Sequence, residues 1–155
     1  MKRTQEFWDR FFLKLARQYS TASKDPSTKV GCVITDGGKE VISMGWNGLP
    51  PHIEDTEENL NNREYKLAHT IHAEVNAVIR LNTVLIDAMT AYIYPFTSCV
   101  RCAKKLCGVN IKRVVSVAYT PERWKSSFED GLAYFKDKNI EVKLYPMEFL
   151  DSDRL

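Results

Sequence analysis

The sequence predicts an α/β protein, a three-layer α/β/α sandwich in which a five-stranded mixed sheet carries helices on both faces. Three observations predict this class: short apolar runs alternate with amphipathic stretches, a glycine-containing turn joins the first two runs, and helical patterns separate the later runs. Strand–helix–strand order favours parallel strands joined by right-handed crossovers. A chain of 155 residues is the size of one domain, so we expect a single domain over residues 1–155.

The first part of the chain predicts a helix followed by a hairpin. Apolar and aromatic side chains recur at helical spacing over residues 7–19. Residues 30–34 form an apolar run typical of a buried strand, and Asp36-Gly37-Gly38 is a turn signal that leads into a returning strand at residues 41–46. The acidic and polar residues 52–68 show no strong period, which predicts a long loop that is functional or mobile.

The remainder of the chain alternates predicted helices with predicted strands. In order, these are a helix at 72–81, a strand at 91–94, a helix beginning near residue 99, a strand at 113–118, a helix from 121 to about 136 and a strand at 140–145. Pro121 suits the first turn of the last helix, because that turn needs no backbone N–H. The tail after Met147 is polar, and we expect it to be loose.

Charge and hydropathy exclude several classes of function. The formal net charge is +2, without the excess of Lys and Arg expected of a duplex-binding face, so no long nucleic acid is expected as a partner. No apolar run reaches the length of a membrane span, and the first residues lack the apolar stretch of a signal peptide. Three of the four cysteines are clustered, which suits a metal site better than a disulfide scaffold. We therefore expect a cytoplasmic protein with no membrane partner.

The most informative pattern is His72-Ala73-Glu74 followed by Cys99-Val100-Arg101-Cys102. One imidazole and two thiols form a soft ligand set that suits zinc, and three protein ligands leave a fourth position for water, as in a catalytic site. Both half-motifs fall at predicted helix starts, where the positive end of the helix favours a thiolate. The pattern predicts one catalytic zinc ion per chain.

Glu74 has a separate predicted role. On a helix, residues two apart point roughly 200° from each other, so Glu74 is poorly placed to bind the same metal ion as His72. Zinc lowers the pKa of its water from about 15.7 towards about 7. A carboxylate beside that water can remove a proton and return it to a substrate nitrogen. This chemistry suits hydrolysis at an amidine-like carbon with ammonia as the leaving group.

Other interpretations of the cysteines stay open at this point. A structural zinc site would recruit Cys107 as a fourth ligand, but we interpret Cys107 as a buried apolar residue and Cys32 as part of the core. A noncatalytic, zinc-stabilised interaction module would also need four protein ligands and would need zinc to fold. The Cys-x-x-Cys motif also occurs in thiol–disulfide oxidoreductases, but that function would leave His72 and Glu74 without a role.

These residues resemble the cytidine and deoxycytidylate deaminase superfamily, whose zinc signature is H-x-E with P-C-x-x-C. The resemblance covers nearly the whole chain and is closest to the deoxycytidylate (dCMP) deaminases. It is carried by residues 23–26 with 29–31, residues 45–50, residues 72–77 and residues 99–103.

The resemblance implies a reaction and a set of site residues. The implied reaction is dCMP plus water giving dUMP and ammonia on the cytidine deaminase-like fold. The implied roles are zinc ligands for His72, Cys99 and Cys102, proton shuttle for Glu74, sugar contact for Asn47 and pyrimidine contact for the Ala73 backbone.

The sequence departs from the family pattern at one position of the signature. Ser98 stands where a proline is expected immediately before the first cysteine. The backbone near Thr97 and Ser98 is expected to approach the substrate amine, so Ser98 is a predicted substrate-binding residue. Some relatives hold a second, structural zinc, for which the spare soft ligands here are His52, His69 and Cys32.

A mononucleotide substrate needs a cationic clamp for its phosphate. Lys24 is the best candidate from the sequence, because the preceding loop is expected to reach the rim of the pocket. Arg63, Arg123 and Lys125 are weaker candidates, since a surface charge is usually solvated.

The resemblance also implies assembly and regulation. Some relatives form hexamers that dCTP activates and dTTP inhibits near the turn at residues 45–48, so we expect a homo-oligomer, either a hexamer or a dimer, and possible Mg²⁺ with a regulatory nucleotide. Trp124, Phe128 and Tyr134 are candidates for the interface or equally for the core.

Zinc-dependent deamination is also compatible with substrates other than dCMP. The chain can be another deaminase that acts on cytidine, guanine or a tRNA adenosine. The near-neutral charge argues against the tRNA substrate, since such binding depends on basic surface.

Overall fold

The fold is built on a five-stranded mixed sheet with the spatial order β2-β1-β3-β4-β5. The computed structural model describes residues 1–82 and 86–152. The strands are β1 (Gly31–Thr35), β2 (Val41–Trp46), β3 (Met89–Tyr94), β4 (Ile111–Val117) and β5 (Glu141–Tyr145). β1 is antiparallel to both β2 and β3, whereas β4 is parallel to β3 and to β5. The predicted mixed sheet is confirmed.

In the described part of the chain, six helices and two 3₁₀ turns surround the sheet. The helices are α1 (Gln5–Ser20), α2 (Glu57–Asn61), α3 (Arg63–His69), α4 (Ala73–Ile79), α5 (Val100–Gly108) and α6 (Lys125–Asp137). The 3₁₀ turns are Glu122–Trp124 and Met147–Leu150. Pro121 therefore precedes a 3₁₀ turn rather than lying within α6. No described helix is both long and apolar enough to span a bilayer.

Alternation along the strands divides the core into two layers, because successive side chains of a strand point to opposite faces. In β1, Cys32 and Ile34 pack in the cluster beneath α4, α5 and α6, whereas Val33 packs with α1. β3 follows the same rule, with Ile93 in the first cluster and Tyr92 in the second. The three-layer α/β/α sandwich predicted from the sequence is therefore present, and Cys32 is a core residue as expected.

The predicted loop over residues 52–68 is wrong, because this segment contains α2 and α3. Each helix begins at a capping side chain: Thr56 accepts a hydrogen bond from the Asn59 N–H, and Asn62 accepts one from the Tyr65 N–H. Neither helix buries a residue fully, so the sequence carries no apolar stripe that would have revealed it.

The expectation of a loose tail after Met147 is also wrong for the residues that the structure describes. Leu150 is completely buried in the layer that contains α1. Arg10 donates a hydrogen bond from Nε to the carbonyl oxygen of Phe149 at 2.9 Å and stacks over its ring. Residues 153–155 lie outside the described residues.

Candidate active site

A cavity opens where the N-termini of α4 and α5 meet beside the end of β2. Its volume is about 230 Å³, larger than the roughly 150 Å³ that holds a benzene ring in an engineered protein cavity, so a pyrimidine ring fits. The residues that line it include Asn47, His72, Ala73, Glu74, Thr97 and Cys99.

Three soft donor atoms converge beside the cavity. His72 Nδ1 lies 3.3 Å from Cys102 Sγ and 3.7 Å from Cys99 Sγ, and all three donor atoms lie within 4.8 Å of one another. In a tetrahedral zinc site the nitrogen-to-sulfur separation is about 3.6 Å, and the observed separations lie on either side of that value. The residue types and their spacing therefore fit a zinc ion.

Helix starts position these donors. His72 is the N-cap of α4, Cys99 is the N-cap of α5, and Cys102 follows in the first turn of α5. Because the two caps begin neighbouring helices, the His72 and Cys99 side chains face each other. The free N–H groups of a helix N-terminus stabilise the negative charge of a thiolate.

The electrostatics of the cluster favour one ionised thiol. The hydrogen bond with the Cys102 side chain lowers the pKa of Cys99 to about 4 and raises the pKa of Cys102, which burial raises further. The hydrogen bond with Cys99 also raises the pKa of His72. At neutral pH Cys99 is therefore a thiolate, the form that binds zinc.

Glu74 lies in the first turn of α4 and is 4% exposed. Burial raises the pKa of Glu74, and the neighbouring His72 offsets part of this increase. The close fit of α4 on the sheet depends on Gly45 of β2, because a Cβ at that position would overlap the carbonyl oxygen of Ala73. The helix consequently presents His72 and Glu74 to the same cavity.

Asn47 lines the cavity and organises the loop beside it. Its Nδ2 donates to the carbonyl oxygen of Thr28 at 2.9 Å, and its Oδ1 accepts from the Val30 N–H at 2.8 Å. The Ser23 hydroxyl donates to the Asn47 carbonyl oxygen at 2.8 Å. The Asn47 amide holds this loop in place, and its Nδ2 keeps a second N–H for a ligand.

The outer part of the cavity is cationic. Arg63 and Lys66 of α3 and Arg123, which precedes α6, contribute to its lining. Lys66 is paired with Asp25 at 2.9 Å, and both side chains are nearly buried. Arg123 donates to the Thr28 hydroxyl at 3.3 Å. Three positive groups and one carboxylate, Asp25, thus give this part of the cavity an excess of positive charge.

Comparison with known proteins identifies the family. Residues 6–118, most of the chain, match the family model described as the cytidine and deoxycytidylate deaminase zinc-binding region. The chain belongs to this deaminase family.

Two relatives agree with this assignment, and a solved structure shares the fold. An uncharacterized deaminase in the luxG 3' region of Aliivibrio fischeri is 31% identical over 146 residues, which cover 92% of this chain and 97% of that protein. A probable deoxycytidylate deaminase of Caenorhabditis elegans is 35% identical over 106 residues, 66% of this chain and 53% of that protein, so the chain spans about half the length of that relative. The dCMP deaminase of the cyanophage S-TIM5, solved in complex with dCMP and dUMP, shares the fold with a TM-score of 0.72 and 22% identity over 92% of this chain and 99% of that chain.

The structure of this deaminase does not bring every sequence-predicted residue to the cavity. Lys24 is 68% exposed, pairs with Asp55 at 2.7 Å and is absent from the cavity lining, as is Lys125. Ser98 is completely buried behind the cavity wall and donates a hydrogen bond to Glu74. Cys107 is only half-buried, so its interpretation as a fully buried residue is wrong.

Other predicted residues have contacts within their own chain. Phe128 is buried in the core cluster, Trp124 and Tyr134 pack against that cluster, and Phe128 and Trp124 also line the cavity. His69 contacts the carbonyl oxygen of Tyr65 and stacks on its ring. Over residues 1–82 and 86–152, the only group of three metal-binding side chains close enough to share an ion is His72, Cys99 and Cys102.

The sequence does not reveal the cavity roles of Lys66 and the Thr97 side chain. Lys66 lies in a helix that the sequence pattern predicts to be a loop, although the Asn62 cap is a signal for the start of that helix. Thr97 was considered only for its backbone, yet its side-chain oxygen is buried and has no hydrogen-bond partner in the described part of the chain. A buried hydroxyl without a partner beside a cavity is suited to a bound ligand.

Proposed function

We propose that this chain deaminates dCMP to dUMP by zinc-dependent hydrolysis, with release of ammonia. The observation that carries the proposal is that the His72, Cys99 and Cys102 donors and buried Glu74 lie together at a cavity that three cationic side chains also line. A site with one acid–base carboxylate, a soft metal-binding triad and a positive rim suits an aminopyrimidine that carries a phosphate.

His72, Cys99 and Cys102 would hold the zinc ion, and the residues fit that ion in donor type and spacing. When bound there, zinc supplies Lewis acidity that makes water a competent nucleophile near neutral pH. The three protein ligands leave room for a fourth group, which distinguishes this proposal from a structural zinc site.

Glu74 moves the protons of the reaction. Its carboxylate takes a proton from the attacking water and delivers it to N3 of the pyrimidine while C4 becomes tetrahedral. Glu74 then takes the remaining proton from the hydroxyl that has added to C4 and gives it to the amino group, so that the C4–N bond breaks, ammonia leaves and the C4 oxygen becomes the carbonyl of dUMP. Burial raises the pKa of Glu74, which suits a carboxyl group that must hold a proton between these two transfers.

The cavity wall would orient the base and the sugar. The Ala73 backbone and the Asn47 side chain both line the cavity, in agreement with contacts to the pyrimidine and to the sugar. We also propose that the unpartnered Thr97 hydroxyl and the backbone beside it face the substrate amino group.

The phosphate would bind at the cationic outer part of the cavity. Arg63, Lys66 and Arg123 supply three positive charges, and the carboxylate of Asp25 cancels one of them. The remaining excess matches a phosphate group with about two negative charges. These residues replace Lys24 as the proposed clamp, because Lys24 is turned towards Asp55 outside the cavity.

A substrate panel tests the proposal. The zinc-loaded protein is incubated with dCMP, CMP, deoxycytidine, cytosine, guanine and a tRNA adenosine substrate, and ammonia is measured for each. We expect dCMP to be the preferred substrate. Ammonia release from cytidine or guanine in preference to dCMP would favour another base deaminase, and no release from any substrate would favour a zinc-stabilised interaction module.

Assembly and regulation remain predictions. We propose a homo-oligomer, either a hexamer or a dimer, and sedimentation velocity would determine its size. Regulation by dCTP and dTTP, with Mg²⁺ accompanying the nucleotide, would make dCMP kinetics sigmoidal and sensitive to both nucleotides. Hyperbolic kinetics that neither nucleotide changes would reject regulation.

A further inference from the structure

We propose that Ser98 is a positioning residue that holds the Glu74 carboxylate in the orientation needed for proton transfer. This inference rests on the proposed deaminase function and deepens it. It assigns a role to the residue that stands where the family signature has proline, a residue that has no side-chain hydroxyl.

The contact between the two side chains is direct and buried. The Ser98 hydroxyl donates to Glu74 Oε1 at 2.9 Å, Ser98 has no exposed surface and Glu74 is almost completely enclosed. The terminal torsion of a glutamate side chain has only a broad preference, so the rotamer alone does not fix the carboxylate plane. The hydrogen bond from Ser98 to Oε1 adds a fixed contact at one carboxylate oxygen and so restricts rotation of the carboxylate plane.

The backbone of Ser98 packs closely against α6. Gly131 of α6 lies against it so closely that a Cβ at position 131 would overlap the Ser98 carbonyl oxygen. Ser98 is also the residue immediately before Cys99, the N-cap of α5. The hydroxyl therefore links the α4 part of the site, which carries Glu74, to the α5 part, which carries both cysteines.

A purely structural role for Ser98 makes a different prediction. Losing a buried hydrogen bond lowers the free energy of unfolding wherever it occurs. Ser116 offers a matched control, because it too is completely buried and its hydroxyl donates to the Ile93 carbonyl oxygen at 2.8 Å. Ser116 does not line the cavity, so its loss affects stability without changing the orientation of Glu74.

The test compares Ser98→Ala, Ser98→Thr and Ser116→Ala with the wild-type protein. We expect Ser98→Ala to lower kcat for dCMP by about 10-fold to 100-fold, the size of effect that follows from a misplaced catalytic group. KM, the zinc-to-protein ratio and the calorimetric affinity for dUMP should stay unchanged. Ser98→Thr keeps the hydroxyl and should recover most of the lost kcat, and Ser116→Ala should keep the wild-type kcat.

Three results would overturn the inference: wild-type kcat in Ser98→Ala, a loss of kcat that follows a loss of zinc, or an equal loss of kcat in Ser116→Ala. If Ser98→Ala does not fold, Ser98→Gly removes the same hydroxyl and gives the same comparison. Failure of the proposed function is distinguishable, because the wild-type protein would then release no ammonia from dCMP.

Discussion

Asp9 and Arg113 are 104 residues apart in sequence and form a two-point ion pair between α1 and β4. Arg113 Nη1 lies 2.7 Å from Asp9 Oδ1, and Nη2 lies 2.8 Å from Oδ2. The hydroxyls of Tyr92 and Tyr145 donate to the same carboxylate, which is 0% exposed. One buried carboxylate therefore connects the first helix to β3, β4 and β5.

We predict that Asp9→Ala lowers the free energy of unfolding by about 3–5 kcal/mol, because it leaves the partly buried guanidinium and two hydroxyls without this partner. Urea unfolding measures the change. Glu141→Gln is the control, since Glu141 contacts the same guanidinium but is 65% exposed, and a surface pair contributes about 0–1 kcal/mol. Equal effects of the two substitutions would contradict this account of the buried pair.

A second prediction concerns acid stability. Burial alone would raise the pKa of Asp9, but hydrogen bonds from Arg113, Gln5 and Tyr145 outweigh it, so the pKa of Asp9 lies below the usual 3.8. Burial also opposes ionisation of Asp25, but its hydrogen bond with Lys66 leaves its pKa lowered. As pH falls, these two carboxyls take up protons at a higher pH in the unfolded chain than in the folded protein. The stability that both groups contribute is therefore present above pH 3.8 and is lost as pH falls through and below that value.

The measurement is the free energy of unfolding of the wild-type protein and of Asp9→Asn from about pH 6 to about pH 3. The wild-type protein should lose more stability over this range than the variant, because the variant lacks one of the two titrating carboxyls. Parallel curves for the two proteins would show that Asp9 titrates alike in the folded and unfolded chain.

A third prediction concerns the phosphate. Arg123→Ala should raise KM for dCMP by about 10-fold to 100-fold, because this is the change in affinity expected when a hydrogen bond to a charged group is lost. It should leave kcat/KM for deoxycytidine nearly unchanged, because deoxycytidine has no phosphate. Lys24→Ala is the matched control, because it removes a cation that does not line the cavity. A larger effect of Lys24→Ala than of Arg123→Ala on dCMP would return the phosphate role to Lys24.

A fourth prediction compares two helical glycines. Gly131→Ala should reduce the bound zinc and the melting temperature, because the new methyl group would overlap the Ser98 carbonyl oxygen and displace the start of α5. Gly108→Ala at the end of α5 meets nothing within 4 Å, so it should leave both unchanged or raise the melting temperature slightly. Metal analysis and calorimetry measure these effects, and full zinc content in Gly131→Ala would contradict the predicted displacement.

The sheet and its core were predictable from the sequence because they depend on local alternation. Val33 between Cys32 and Ile34 illustrates this, since its neighbours pack on the opposite face. The zinc motif was also visible, because a helix start brings Cys99 and Cys102 together and a second helix start offers His72.

The remaining features depend on contacts that no local pattern encodes. Lys24 and Lys66 look alike in the sequence, but Lys24 pairs with Asp55 outside the cavity and Lys66 pairs with Asp25 inside its wall. The polar tail does not predict the burial of Leu150, because that burial depends on tertiary packing near α1. The bond from Ser98 to Glu74 joins residues 24 apart and becomes apparent only when the two helix starts are placed together.

The most direct test of the account is ammonia release from dCMP by zinc-loaded wild-type protein and by zinc-loaded Glu74→Gln. We predict that the wild-type protein converts dCMP to dUMP, and that Glu74→Gln keeps stoichiometric zinc and its fold but loses at least about 100-fold in kcat, the contribution of a general acid–base group. Turnover of dCMP at the wild-type rate by Glu74→Gln, or no ammonia from the zinc-loaded wild-type protein, would contradict the account.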